Sequence, residues 1–159
     1  MGLPPIIAID ILENRRELAA RLGADRTLNP TTDDVPKTVS SMTQSLGVDY
    51  AIVATGSLRA TEQAFSSIRK GGKVVLFGAP AKGAQLSIDI SRLFLHEIKV
   101  ESSYSTSETE MKMAIDLIEK KRVDPSKLIT HRLPLAKALE AFSLAQKGVN
   151  VVKVVIENK

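Results

Sequence analysis

Asp10 is a residue whose type and position could do chemistry. It follows the apolar run at residues 6–9 and leads into a charged helical period. A carboxylate at the end of such a strand can accept hydrogen bonds from the hydroxyls of an adenosine ribose, and it would repel the 2′-phosphate of NADP. Asp10 and Glu13 also have the spacing of a helix capping box, so the local sequence leaves both roles open. Arg15 either lies along the ribose edge or is simply solvated. In the first case its positive charge keeps NADP open as an alternative cofactor.

Two further predicted strand ends carry glycine. One reads Thr55, Gly56 and Ser57, and the other reads Phe77, Gly78 and Ala79. Glycine at a strand end lets a flat ligand ring approach the backbone, or it serves only the sharp turn into the next element. The local sequence favours the turn at each place. Two such strand ends side by side would form a crevice.

Lys153 is a cation within an otherwise apolar run at residues 151–156. Its charge must reach an anion, for which a pyrophosphate would be suitable, or extend to solvent at a sheet edge, which the pattern favours. His96 and His131 have no partner at metal-ligand spacing and are interpreted as structural. With no cysteine in the chain, the sequence predicts no complete zinc site.

Short β-rich runs alternate with helical periods along the chain. Strands are predicted at residues 5–10, 26–28, 50–54, 73–78, 98–102 and 151–156, and helices at 13–22, 35–46, 60–69, 91–95, 108–121 and 135–147. Gly23, Gly47, Gly71 with Gly72, and Gly148 are predicted to close helices. The runs at 51–54 and 74–77 are apolar on both faces, which predicts helices on each side of a parallel sheet. The prediction is an α/β fold, a doubly wound parallel sheet in a single domain at residues 1–159.

The composition excludes several classes of protein. The chain has 159 residues with a formal charge of +4, but its 22 basic residues are interleaved with 18 acidic ones and only 4% of residues are aromatic. A nucleic-acid partner is therefore not predicted. No apolar run approaches the roughly 20 residues needed to cross a bilayer, and no secretory signal is recognisable. A cytoplasmic location without a membrane partner is expected.

Five ordered segments carry a resemblance over essentially the whole chain. They read IIAIDILENRRELAARLGADRTLNP, GVDYAIVATGS, IRKGGKVVLFGAP, LITHRLPLAKALEAF and VVKVVI. In this order they resemble the cofactor-binding half of the zinc-type medium-chain alcohol and polyol dehydrogenases, which implies a Rossmann-like fold that binds NAD. The catalytic activity implied is hydride transfer between a secondary alcohol or polyol and the nicotinamide.

The resemblance implies a role for each candidate residue. Asp10 would bind the adenosine ribose with help from Arg15, and Lys153 would contact the pyrophosphate as a point charge where relatives carry arginine. The adenine side would be flanked by Thr55, Gly56 and Ser57. The nicotinamide carboxamide would be held by the turn of Phe77, Gly78 and Ala79 and by the backbone near Glu101–Ser103. The segment from Ser102 to Ser105 resembles the polyol and sugar-alcohol branch of the family more than the others.

The resemblance also implies what this chain lacks. The first strand of the cofactor domain, its Gly-x-Gly-x-x-Gly turn and the N-terminal zinc-carrying catalytic domain have no counterpart, so Met1 is expected to be an internal methionine at the end of a helix. Because the first strand is central in the order 3-2-1-4-5-6, the strands at 5–10 and 50–54 lose their common neighbour. A gap, a local rearrangement or a partner segment is expected there.

Two functions follow from these expectations. The chain would be the cofactor-holding part of a dehydrogenase, inactive and weak in NAD binding by itself. Alternatively it would be a non-catalytic dimerisation or assembly module, associating with a separately encoded catalytic half or with a second copy. The implied homo-oligomer contact runs along a sheet edge, from Gln85 to Asp89 and from Ile98 to Ser103.

Overall fold

The computed structural model describes residues 5–148 and 150–158, and these residues alternate between strands and helices. The strands are β1 (Ile7–Ile9), β2 (Arg26–Leu28), β3 (Val48–Val53), β4 (Ile68–Leu76), β5 (Lys99–Ser102), β6 (Ile129–Pro134) and β7 (Lys153–Glu157). The α-helices are α1 (Glu13–Arg21), α2 (Val35–Met42), α3 (Leu58–Ser67), α4 (Ile90–Leu95), α5 (Glu108–Glu119) and α6 (Ala138–Lys147). Short 3₁₀ turns at Pro125–Leu128 and Leu135–Lys137 flank β6. Met1 lies outside the described residues.

The strands form three separate parallel sheets. β1 pairs with β2, β3 pairs with β4 and β4 with β5, and β6 pairs with β7. Within the described residues no strand pairs with the second edge of β1 or of β3. This is the gap expected for the order 3-2-1-4-5-6 without its first strand, and it leaves two strand edges with unpaired backbone groups.

Two apolar clusters hold these elements. The larger lies where α3 covers β3 and β4, and its buried members are Val53, Phe65, Ile68 and Val74. The smaller joins β2 to α2 and consists of Leu28, Val35 and Val39. Ile7 of β1 and Val48 of β3 both pack against the smaller cluster, and α2 contacts α3. The pair β1–β2 and the sheet β3–β4–β5 are therefore joined by side-chain packing and not by hydrogen bonds between their described strands.

Several helix boundaries follow directly from side-chain chemistry. The Asp34 side chain accepts a hydrogen bond from the Lys37 N–H at the start of α2, with a proline in the first turn. At the start of α5, Ser107 and Glu110 form the reciprocal bonds of a capping box. Gly148 follows α6 with a φ of 66°, as the prediction of a glycine-closed helix requires.

One strand was missed, and several element boundaries are wrong. β6 was not predicted, because three consecutive polar residues at 130–132 interrupt its apolar pattern and it ends in a proline. The helix predicted to 69 ends at Ser67, and β4 begins at the next residue, so Gly71 and Gly72 lie inside a strand. The helix predicted to 46 ends at Met42, since positive φ angles at Gln44 and Ser45 terminate it.

The prediction that helices cover both faces of the central strands is also wrong for β3. Val53 is 5% exposed beneath α3, but Ile52 and Tyr50 on the opposite face are 68% and 65% exposed. The chain as a whole exposes 11995 Å², whereas a compact monomer of this mass exposes about 7800 Å². Among the described residues, no helix is both long enough and apolar enough to cross a bilayer.

Candidate cofactor site

Asp10 directly follows β1, at the carboxyl end of a parallel strand. Its N–H donates to the Leu28 carbonyl of β2 at 3.2 Å, which fixes the end of the strand pair. Its carboxylate accepts a hydrogen bond from the Leu12 N–H at 2.8 Å, and its side chain is 30% exposed. The turn therefore holds an accessible carboxylate at the strand end, the position at which ligands of open parallel sheets bind.

Asp10 is not the N-cap of α1, so the capping-box alternative is wrong. The N-cap of α1 is Leu12, which makes no side-chain capping bond, and Glu13 is the first helical residue. The bond from Leu12 to Asp10 spans two residues and is an Asx turn. One carboxylate oxygen thus holds the turn, and both oxygens retain free acceptor capacity.

Two arginines of α1 surround the Asp10 turn. The Arg15 guanidinium lies 3.5 Å from the Asp10 carboxylate, so the predicted neighbours are brought together. Arg16 donates from Nη1 to the Asp10 carbonyl at 2.8 Å. The sequence reasoning missed Arg16, although its place in the first helical turn beside Arg15 was the available signal.

The glycines of the other two strand ends are explained by their mutual approach. A Cβ on Gly78 would lie 2.3 Å from the backbone nitrogen of Thr55, and one on Gly56 would lie 2.5 Å from the Ala79 carbonyl oxygen. No real side chain tolerates such distances to backbone atoms. The two turns therefore pack backbone to backbone, which confirms that these strand ends are neighbours and accounts for both glycines without a ligand.

Ser57 and Thr55 also have structural roles. Ser57 is the N-cap of α3, and its side chain accepts a hydrogen bond from the Ala60 N–H at 3.4 Å. The Thr55 hydroxyl accepts from the Ser57 N–H at 3.3 Å. All three residues from Thr55 to Ser57 are exposed, so the turn remains open to solvent.

Phe77 and Ser103 flank the end of β4. The N–H groups of Phe77 and Gly78 both donate to the Val53 carbonyl of β3, at 3.0 and 2.8 Å. The Ser103 N–H donates to the Leu76 carbonyl at 3.0 Å. These bonds bring the ends of β3, β4 and β5 together and leave the Phe77 ring exposed beside them.

Lys153 begins β7, in the separate sheet with β6. Its carbonyl accepts from the Thr130 hydroxyl at 3.1 Å, and its side chain is exposed with no ion pair to another described residue. The end of α6 approaches the residues after Asp10, since a Cβ added at Gly148 would lie 4.0 Å from the Leu12 side chain. The described contacts do not bring Lys153 itself against the Asp10 or Gly56 turns.

The uncovered face of the central sheet carries an ion pair. Lys73 of β4 donates to Glu101 of β5 at 2.8 Å. This hydrogen bond, with the charge of Glu101, raises the pKa of Lys73 above its ordinary value. Lys73 also lies beside Tyr50 in the strand register. A charged pair and an exposed aromatic ring thus share this face.

A protein-family model described as zinc-binding dehydrogenase matches residues 1–120. This stretch includes Asp10, both glycine turns and all of α5. The chain belongs to this family. The matched residues therefore share their fold with the cofactor-binding part of zinc-type alcohol and polyol dehydrogenases, and the expected family resemblance is confirmed.

Individual relatives agree with this assignment. Alcohol dehydrogenase 1 of Oryza sativa subsp. indica is 32% identical over 156 residues, covering 94% of this chain and 41% of the relative. Sorbitol dehydrogenase of Gallus gallus is 29% identical over 154 residues, covering 95% and 42%. The solved structure of an alcohol dehydrogenase from Thermotoga maritima superposes with a TM-score of 0.89 at 27% identity, covering 99% and 44%.

These relatives are longer than the chain. The chain spans about 42% of the length of the curated relatives it matches, and the match lies in their C-terminal part. The Rossmann-like α/β fold predicted from the sequence is confirmed by the superposition.

Proposed function

We propose that this chain holds NAD within an alcohol or polyol dehydrogenase and that Asp10 receives the adenosine ribose. The observation that carries this proposal is the accessible Asp10 carboxylate at the carboxyl end of β1. Family membership supplies the reaction class, and the strand-end position supplies the binding chemistry. When bound, NAD provides the acceptor for the hydride of a secondary alcohol.

The residues of the site suit the adenosine end of NAD. The Asp10 oxygens have free lone pairs for two ribose hydroxyls, while their negative charge disfavours the 2′-phosphate of NADP. Arg15 partly offsets that charge from 3.5 Å away. The exposed turn around Gly56 would adjoin the adenine, and the turn around Gly78 with Ser103 would adjoin the carboxamide.

The zinc chemistry of a dehydrogenase would need residues outside this chain. The chain has no cysteine and two histidines, and no described group of three His, Asp or Glu residues could hold a metal ion. We propose that the zinc and its ligands belong to a catalytic domain like that of the longer relatives. Lys153 would supply a single charge to the pyrophosphate.

Cofactor titration of the chain followed by calorimetry tests this function. We expect weak NAD binding, because no glycine-rich turn lies among these residues, and weaker binding of NADP. Asp10→Asn should weaken NAD binding about tenfold, since it replaces one of the two acceptor oxygens by a donor and removes the charge. Asp116→Asn, which removes an equal charge from the exposed side of α5, is the matched control. Nanomolar NAD binding, or equal loss in both variants, would contradict the proposal.

A second candidate function is assembly, and the open sheet edges favour it. Among the strands of the described residues β5 pairs only with β4, and all four of its residues are exposed. The segment from Gln85 to Asp89 forms no strand, because Leu86 and Ile88 pack into the core and Asp89 caps α4. The proposed dimer contact therefore reduces to β5, with the gap between β1 and β3 as the place for a strand of a separate catalytic half.

Light scattering during size-exclusion chromatography distinguishes the two functions. A dimer that Val100→Lys converts to monomer would support assembly through β5, because charges on an edge strand oppose further pairing. Lys99→Gln, at the neighbouring position, should leave the mass unchanged. A monomer at high protein concentration would count against assembly of two copies through β5 and leave the cofactor function untouched.

A further inference from the structure

A cleft of about 240 Å³ lies at the amino end of the central sheet, away from the cofactor site. Gly47 precedes β3, Ser67 directly precedes β4, and His96 precedes β5, and all three residues line the cleft. The Asp10, Gly56 and Gly78 turns follow their strands and lie at the carboxyl end. The cleft is thus separate from the Gly56 and Gly78 turns of the same sheet, and from the Asp10 turn of the β1–β2 sheet.

The side chains of the cleft carry positive charge without a carboxylate. Lys70, Arg92 and His96 line it, and no lining residue is acidic. Neither Lys70 nor Arg92 forms an ion pair within 4 Å with another described residue. The Ser91 hydroxyl and, more weakly, the charge of Arg92 lower the pKa of Asp89. The nearby acids are engaged: Asp89 accepts from the Ser91 hydroxyl and the Arg92 N–H, and Asp49 pairs with Arg69 at 2.7 Å.

A buried hydroxyl in the same cleft supplies an independent observation. Ser67 is 7% exposed, and its Oγ is buried with no hydrogen-bond partner among the described residues. Buried polar atoms are normally paired, and leaving one unpaired is unfavourable. Three more serines, Ser40, Ser45 and Ser66, line the cleft. Their hydroxyls add donors to those of the cations.

We propose that this cleft binds a phosphate group, either free or carried by a small molecule. Guanidinium, ammonium and hydroxyl donors are the groups that recognise phosphate oxygens, which only accept hydrogen bonds when fully ionised. The volume of about 240 Å³ admits a phosphate with a small carrier but not a polynucleotide strand. Because the cleft lies at the amino end of the β3–β4–β5 sheet and the Asp10 turn lies at the carboxyl end of β1, this site is distinct from the proposed NAD site.

Amide chemical shifts of the full chain test this site when inorganic phosphate is titrated against sodium chloride of equal ionic strength. We expect saturable shifts at Ser45, Ser67 and His96. Arg92→Gln should weaken phosphate binding about tenfold, because it removes one charge-assisted pair. Lys82→Gln is the matched control, since Lys82 is exposed and does not line the cleft.

Ser67→Ala gives a second readout that does not depend on charge. It should weaken phosphate binding and raise the Tm of the phosphate-free chain, because the unpaired hydroxyl is gone. Asp10→Asn should leave phosphate binding unchanged, which separates this site from the NAD site. Tighter binding of ribose 5-phosphate than of inorganic phosphate identifies a phosphorylated small molecule, and equal binding identifies free phosphate. Shifts that do not saturate, or equal weakening by Arg92→Gln and Lys82→Gln, would overturn the proposal.

Discussion

The two faces of the sheet β3–β4–β5 differ although residues 51–53 of β3 and 74–76 of β4 are apolar on both faces. Under α3, Val53 and Val74 are 5% and 0% exposed. On the opposite face Tyr50 and Ile52 are largely exposed, beside the ion pair of Lys73 and Glu101. Strands with two apolar faces belong in sheets covered on both sides. The difference indicates that the described residues supply the cover for one face, and that the other face is suited to a further element of the proposed dehydrogenase.

Adjacent residues of β3 provide the sharpest way to break this comparison. Val53→Asp places an unpaired carboxylate in the core and should cost more than about 4 kcal/mol of the free energy of unfolding, enough to unfold the chain. Ile52→Asp points to the uncovered face and should cost less than about 1 kcal/mol. Urea unfolding followed by circular dichroism measures both. Similar losses in the two variants would show that the second face is also packed.

The backbone contact between the strand ends predicts the next largest effect. Gly78→Ala should destabilise the chain by about 3 kcal/mol, because its Cβ would meet the Thr55 backbone and the two turns would have to separate. Ser103→Thr adds one methyl group at an exposed neighbouring position and should change the unfolding free energy by less than about 0.5 kcal/mol. A neutral Gly78→Ala would mean that the glycine is present for another reason, such as access of a ligand.

The same two regions show how far sequence reasoning reaches. The predicted helix starts at residues 35 and 108 are correct, and the caps at Asp34 and Ser107 depend only on side chains a few residues apart. The exposure of Ile52 was not predicted. The pattern of a strand indicates which of its faces are apolar, but it does not indicate which face a neighbouring element covers. Gly71 has the positive φ expected of a residue that closes a helix, but it lies within β4. The prediction failed because the local sequence does not distinguish a helix end from an irregular strand.

For the candidate site, the sequence predicted where the residues lie better than it predicted why those residue types occur there. Asp10 does end a strand, and its ribose-binding role stays a prediction. Gly56 and Gly78 do lie at neighbouring turns, but their close approach depends on two segments more than 20 residues apart in the chain, so no local pattern could reveal it. The unpaired Ser67 hydroxyl likewise follows from packing between elements.

The ion pair on the uncovered face predicts a smaller and pH-dependent effect. Since the folded chain raises the pKa of Lys73 above 10.5, the pair contributes stability below that pH and loses it as pH rises through the folded pKa. Lys73→Met should therefore lower the urea midpoint slightly at pH 8. Above the folded pKa of Lys73, the variant and the parent chain should have the same midpoint. Lys99→Met, beside it in the strand register, is the control. A midpoint difference that persists unchanged at high pH would mean that Lys73 acts through packing alone.

Helix α5 extends the comparison, because all of its residues are exposed and its start depends on local bonds. The Ser107 N–H and hydroxyl hold the pKa of Glu110 below its ordinary value of 4.5, so their contribution to helix stability is present above pH 4.5 and is lost as pH falls through the folded pKa. Glu110→Gln should reduce the helical signal slightly at pH 7 and make it less sensitive to acid, whereas Glu119→Gln, at the other end of α5, should not. An identical acid response in both variants would show that contacts elsewhere hold α5, and hence that its apolar side is covered after all.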